Sequence, residues 1–300
     1  MKVVVLGAAA GGGFPQWNSN GPGCRRARQG DPAAPSRTQA SVAVSADGAN
    51  WFLLNASPDL RQQIERTPQL HPRDGLRHSP IAGVVLSGGD VDVIAGLLTM
   101  RERQRFTLFA TDRIHQVLED NPIFEVLARD VVARERIALG EARALDDQLS
   151  VTLFPVPGKV PLYLEDGDGQ PPILEDGTTV GVEVTDGRLR MLYIPGCAAM
   201  SPTLRARLQE ADIVFFDGTL WRDDEMVTAG LSAKTGRRMG HMSLSGPAGT
   251  IEAFRTIEVG QKVIIHMNNS NPVLLADSPE RAEAEAAGWI VAHDGLEFVL

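Results

Sequence analysis

The side chains of this 300-residue chain best suited to chemistry are carboxylates and imidazoles lying at or just past apolar, strand-type runs. Asp90 and Asp92 follow Val84-Val85-Leu86-Ser87-Gly88-Gly89; Asp217 closes Ile213-Val214-Phe215-Phe216; His266 follows Lys262-Val263-Ile264-Ile265; His241 sits in Met239-Gly240-His241. A histidine directly after a buried strand is poorly explained as surface filler, and imidazole is the commonest metal ligand and general base. His241, in a glycine-flanked loop, reads as readily as a loop residue as a functional one. Asp217, before Gly218-Thr219, reads equally as a turn residue or as a catalytic one. Taken together, Asp90, Asp92, His241 and His266 make a mixed oxygen and nitrogen metal set. Two histidines and one carboxylate with open positions suit non-haem Fe(II), and fit Zn²⁺ or Mn²⁺ as well. Asp90 and Asp92 would point to opposite faces of an extended segment, so both can ligate only if Gly88-Gly89 lets the loop curl. His71, His78, His115 and His293 have bland contexts that predict structural or surface roles. Cys197, after Pro195-Gly196, could be a soft ligand or a redox thiol, but a lone buried cysteine is more often a small hydrophobe.

The elements that must position these groups follow from pattern. Lys2–Leu6 reads as a first strand, and Gly7–Gly13 lacks the G-x-G-x-x-G spacing of a dinucleotide loop, so its glycines serve close backbone passage instead. Phe14–Cys24 is too rich in Gly, Pro and Asn to predict an element. Strands are expected at Ala40–Val44 and Trp51–Leu54 across Asp47-Gly48. A helix to about Glu65 follows, with Ser57 at the N-cap and Pro58 at the first position. After the Asp90 loop come a short strand at Phe106–Ala110, a helix capped by Thr111-Asp112, and a helical stretch from Asn121-Pro122 to about Glu135. Val151–Val156 is a strand, residues 165–179 are an acidic Gly/Pro-rich exposed loop, and Gly181–Thr185 with Leu189–Ile194 form a hairpin. The rest alternates helix and strand: a helix from Ser201-Pro202, the strands ending at Asp217 and His266, and a last helix from Ser278-Pro279. No internal repeat or linker interrupts the chain, which predicts one domain over 1–300, a two-sheet core with helices outside.

Composition narrows the classes of function. With 43% hydrophobic residues there is material for a large core, and a formal charge of −9 excludes a nucleic-acid-binding surface built on basic residues. No apolar run approaches the roughly 18 residues that span a membrane. No signal-peptide pattern opens the chain, and two cysteines are too few for a disulfide framework, so a cytoplasmic location is expected.

The segment Ser87-Gly88-Gly89-Asp90-Val91-Asp92-Val93 with Gly96-Leu97 resembles the first metal motif of the metallo-β-lactamase superfamily, Thr-His-x-His-x-Asp-His-x-x-Gly-Leu. Ser87 stands for the threonine, Gly88 and Asp90 for the first two histidines, Asp92 for the aspartate and Val93 for the third histidine. End to end, the chain resembles the pyrroloquinoline quinone (PQQ) biosynthesis protein B family of that superfamily. The likeness rests on Leu6–Asn18, Arg37-Thr38-Gln39, Asn55–Asp59, Asp217-Gly218-Thr219, Met239-Gly240-His241 and His266–Pro272. The family usually follows Trp-Asn with Cys-x-Cys-x-x-Cys; this chain has Ser19, Gly21 and only Cys24, so no structural thiolate zinc is expected there.

The resemblance implies a metallo-β-lactamase-like αββα fold, a sandwich of two β-sheets flanked by helices. It implies a role in making PQQ from a crosslinked Glu–Tyr unit, with an iron-dependent hydroxylation of the tyrosine-derived ring by dioxygen. Asp92 and His266 would anchor Fe(II), Asp90 or His241 would complete the set, and His241 and Asp217 would serve catalysis. Expected partners are the amino-acid-derived PQQ precursor and other proteins of the pathway; cationic candidates for its carboxylates are the Arg25–Arg28 cluster, Lys234 and Arg237. The competing expectation is a metal-free carrier or transport-related protein moving PQQ or its precursor toward the periplasm, which Val93, Gly88 and the missing thiolates favour. Hydrolysis of the lactamase or phosphodiesterase kind needs several imidazoles around zinc and fits least.

Overall fold

The computed structural model of the chain describes residues 1–160 and 173–300. In chain order, the strands of the first half are β1 (Lys2–Gly7), β2 (Ser41–Ser45), β3 (Trp51–Leu54), β4 (Ile81–Val85), β5 (Phe106–Ala110), β6 (Val132–Arg136) and β7 (Ala142–Ala144). Then come β8 (Ser150–Pro155), β9 (Val180–Thr185), β10 (Arg190–Ile194), β11 (Ala211–Asp217), β12 (Val259–Ile265), β13 (Trp289–Val291) and β14 (Glu297–Val299). They form two seven-stranded sheets, in the orders β14-β1-β2-β3-β4-β5-β6 and β13-β12-β11-β10-β9-β8-β7. The apolar faces of the two sheets meet in one contiguous core. Phe215 of the second sheet packs edge-on against Phe298 of the first, with ring centroids 5.6 Å apart. The expected two-sheet sandwich flanked by helices is the observed architecture.

Parallel pairing is what makes a site. β3, β4, β5 and β6 run parallel to one another in the first sheet, and β10, β11, β12 and β13 do so in the second. Parallel strands gather their carboxyl ends on one edge, where the following loops carry the chemistry. In the register of β11 and β12, Asp217 lies opposite Ile265, so Asp217 and His266 leave the sheet one residue apart.

The glycine-rich stretch after β1 crosses this edge. Ala10 N–H donates to Met267 O at 2.8 Å and Met267 N–H to Ala8 O at 3.0 Å, tying the first strand of one sheet to the residue after His266 in the other. The close passage expected of these glycines is present at Gly7, where a Cβ would lie 2.2 Å from Gln39 O.

Three local expectations are corrected. Residues Pro22–Arg28 form a helix with Pro22 at its start and Cys24 buried, so the last three residues of the irregular loop expected over Phe14–Cys24 are helical. Ser57 does not cap the next helix, Leu60–Arg66; Asp59 holds that position, and its carboxylate accepts from Gln39 N and Nε2 at 2.9 and 3.0 Å. The helix expected over 121–135 is a short 3₁₀ turn, Pro122–Val126, followed by β6. The free edge of β5 draws Val132–Arg136 into a parallel ladder, because backbone bonds and burial of Val132 outweigh local propensity. Of the exposed loop expected over 165–179, residues 165–172 lie outside the described residues; Leu174 pairs with Gly158 across a single bridge.

Candidate metal centre

At the carboxyl edge of both sheets lies a cavity of about 540 Å³. Its wall includes Asp90 and Asp92 from the first half of the chain, and Thr219, His241 and His266 from the second. Ser87, Gly88, Asp90, Asp92 and Val93 belong to one curled segment: Asp90 is the N-cap of the short helix Val91–Ile94, and Asp92 occupies its first turn. The curl expected of Gly88-Gly89 therefore lets both carboxylates reach the cavity. Two cross-sheet bonds hold the segment. Asn55 Oδ1 accepts from Ser87 N at 2.9 Å while its Nδ2 donates to Tyr193 Oη at 3.3 Å, and Ser87 O accepts from Val180 N at 2.9 Å.

His266 is the first residue beyond β12, and its φ of 59° is left-handed. Such a conformation costs a non-glycine residue of order 1 kcal/mol and persists where surroundings fix it. It ends the strand and turns the imidazole onto Asp92, His266 Nε2 lying 2.9 Å from Asp92 Oδ2. These two residues are 174 positions apart in the chain. The His241 ring stacks on that of His266 with centroids 5.3 Å apart, and its Nδ1 lies 2.7 Å from Asp217 Oδ2. Asp217 is fully buried and also accepts from Cys197 N at 2.9 Å and Thr219 N at 3.0 Å. Ligand-type atoms of Asp217, His241 and His266 all lie within 4.8 Å of one another.

Electrostatics follow from this crowding. Burial drives the Asp90 carboxyl up, helped by the charge of Asp92, to about 6. Burial would raise Asp92 too, but the bond from His266 and the charges of both histidines hold it below the usual carboxylate range. For His266, burial works to lower the pKa; the bond to Asp92 and the charges of Asp92, Asp217 and Asp90 outweigh it and raise the pKa. Carboxylates converging on imidazoles in a shielded pocket make an environment that favours a cation. Borderline nitrogen with hard oxygen donors is the chemistry of Fe(II), Zn²⁺ and Mn²⁺, so the residues present fit a metal of that class.

The other expected groups fall elsewhere. Lys234 lines the cavity, whereas Arg237 does not; its neighbour Arg238 does, along with Lys159. In the Arg25–Arg28 cluster, Arg26 pairs with Asp31 and Asp277, and Arg28 donates to Gln16 O and Ser19 O; none of these arginines lines the cavity. Cys24 is buried, its Sγ 3.5 Å from Asn269 Oδ1. Cys197 is buried as well, and burial together with the Asp217 charge pushes its thiol up, away from the thiolate a soft ligand needs. Gly88 leaves space: a Cβ there would meet only Asp90 Oδ2, at 3.8 Å. Val93 is half-buried against the core and shows part of its surface to the cavity. Thr219 and Asn55, quoted only within the segments that carry the family likeness, and Lys159 were given no role in a site from sequence; a threonine two residues past a strand-end aspartate was the available signal for the first.

A β-lactamase superfamily domain model matches residues 50–267. Coenzyme PQQ synthesis protein B of Gluconacetobacter diazotrophicus is 62% identical over 99% of both chains, and that of Xanthomonas campestris pv. campestris 57% identical over 100% of both. Among solved structures, Zn(2+)-bound PqqB from Methylobacterium extorquens superposes with a TM-score of 0.98 at 55% identity over 100% of both chains. A diphosphatase of the PhnP family, 20% identical with a TM-score of 0.71 over 99% of this chain and 96% of its own, shares the fold alone. With identity of this order along its entire length, the chain belongs to the coenzyme PQQ synthesis protein B family of the β-lactamase superfamily.

Proposed function

We propose that this chain acts in PQQ synthesis as an iron-dependent hydroxylase of the crosslinked Glu–Tyr-derived precursor, working as one domain in the cytoplasm. Family membership supports the pathway. The observation that carries the reaction is the contact of Asp92 with His266, one from each sheet, at 2.9 Å on the wall of the cavity. Fe(II) would be held by Asp92 and His266 with Asp90 or His241 completing the set, and when bound it supplies the redox chemistry through which dioxygen oxidises a phenol ring. The protein's own groups do the remainder. His241, held by Asp217 at 2.7 Å, is placed to take or give a proton at the ring hydroxyl. Lys159, Lys234 and Arg238 line the same cavity and match the carboxylates of an amino-acid-derived substrate. A volume of about 540 Å³ falls in the range of small-molecule sites.

Anaerobic Fe(II) titration of the wild type and His266→Ala, paired with dioxygen uptake on the crosslinked amino acid, tests this. The wild type binds iron and consumes dioxygen, and the variant does neither. Unchanged iron affinity in His266→Ala would remove His266 from the site. The apolar Val93 and the bare Gly88, both on the cavity wall, favour the second reading, a metal-free carrier of PQQ or its precursor. Tight precursor binding by metal-free protein with no dioxygen uptake after iron loading would select it.

A further inference from the structure

The Thr219 hydroxyl stands at the centre of the imidazole cluster. Its Oγ1 lies 2.7 Å from Asp217 Oδ1, 2.8 Å from His266 Nδ1, 3.0 Å from His241 Nδ1 and 3.1 Å from His266 O. A hydroxyl has one proton to give and two lone pairs to receive with. Asp217 Oδ1 and His266 O can only accept, so the one proton goes to an oxygen and the lone pairs are left for the two ring nitrogens. Both Nδ1 atoms then donate. For His241 the second Nδ1 neighbour, Asp217 Oδ2 at 2.7 Å, also accepts, which enforces the same assignment. A turn after β11 would need only the bonds from Thr219 to Asp217; the two imidazole contacts go beyond it.

We propose that Thr219 is a positioning residue whose hydroxyl takes the Nδ1–H of His266, and shares that of His241 with Asp217, so that both rings offer Nε2 to a cation. This rests on the metal reading above. An imidazole carrying its proton on Nδ1 has its lone pair on Nε2, on the far side of the ring. For His266 that far side faces Asp92 Oδ2 at 2.9 Å, to which Nε2 donates a proton that a bound cation would displace, leaving the Nδ1–H on Thr219. Outer partners of this kind fix tautomer and ring orientation of a ligating histidine, and losing one costs roughly 10–100-fold in metal affinity.

The test compares Thr219→Val, which swaps the hydroxyl for a methyl, with Thr219→Ser, which keeps it, by Zn²⁺ competition titration and long-range ¹H–¹⁵N spectra of the histidine rings. Thr219→Val loses roughly 10–100-fold in Zn²⁺ affinity, and its protected His266 Nδ1–H resonance disappears; Thr219→Ser retains both. If Thr219→Val fails to fold, Thr219→Ala takes its place against Thr219→Ser with the same outcomes expected. Wild-type affinity and an unchanged Nδ1–H resonance in the hydroxyl-free variant overturn the inference. Failure of the wild type to bind Zn²⁺ or Fe(II) would instead sink the metal reading; the Nδ1–H resonance of metal-free wild type and variant then decides the role of Thr219 alone.

Discussion

At the carboxyl edge of the second sheet, Asp217, Thr219, His241 and His266 are bonded to one another through a single hydroxyl and a buried carboxylate. Across the cavity, the first sheet offers carboxylates on a short helical turn, with a glycine at 88 and a valine at 93. Both sides use one device, a side chain delivered just past a parallel strand. They differ in how firmly the donors are held. Imidazoles fixed by outer hydrogen bonds are preorganised, whereas the first side meets them through the carboxylate of Asp92, on a short helical turn. Val93 and Gly88, which carry no ligand atom, lie on the less firmly held side.

The largest test of this asymmetry is Asp92→Asn beside Asp90→Asn, read by Fe(II) or Zn²⁺ titration. Asp92→Asn should cost more than the roughly 100-fold upper end of outer-shell effects, and Asp90→Asn less than about 10-fold. Equal losses would mean that both carboxylates grip the cation alike. Next in size is a gain: Val93→His adds an imidazole beside Asp92 in the cavity wall and should tighten metal binding on the order of tenfold. No gain would indicate that residue 93 cannot turn toward the cation. The smallest effect lies away from the site. Glu183 on β9, bonded by Arg190 at 3.0 Å and Arg207 at 2.7 Å, has its carboxyl held below the usual range despite burial, which alone would raise it. Its contribution is present above its ordinary value of 4.5 and is lost as pH falls through the lower folded value. Glu183→Gln should flatten the acid limb of thermal stability by on the order of 1 kcal/mol. Glu125, on the 3₁₀ turn before β6, is exposed and pairs with the exposed Arg129 and with Arg134 of β6 at 3.2 Å; solvent screens its carboxylate, and Glu125→Gln should change that limb less. The reverse order in melting curves between pH 3 and 7 would contradict this.

Much of the fold was legible because strand runs such as Ile213–Phe216 and caps such as Ser201 and Ser278 are local signals. Both serines accept from the backbone three residues on, as expected. The stretch 121–135 misled because its strand exists only by virtue of the exposed edge of β5, which no local pattern encodes. Within the site, His266 stood out because a histidine straight after a fully apolar strand has few bland explanations, whereas Asp217 read equally well as a turn residue. Thr219 did not stand out, since its role lies in three partners remote from one another in sequence.

Alone, the sequence determined the residue types at each strand end, the family they resemble and the absence of histidine at 88, 90 and 93. Only the tertiary structure decided that Asp92 meets His266, that Lys159, Lys234 and Arg238 rather than Arg237 or the 25–28 cluster share their cavity, and that one hydroxyl orders both rings. The reason is register: parallel pairing and sheet packing set which strand ends face each other, and those are properties of the assembled core rather than of any segment.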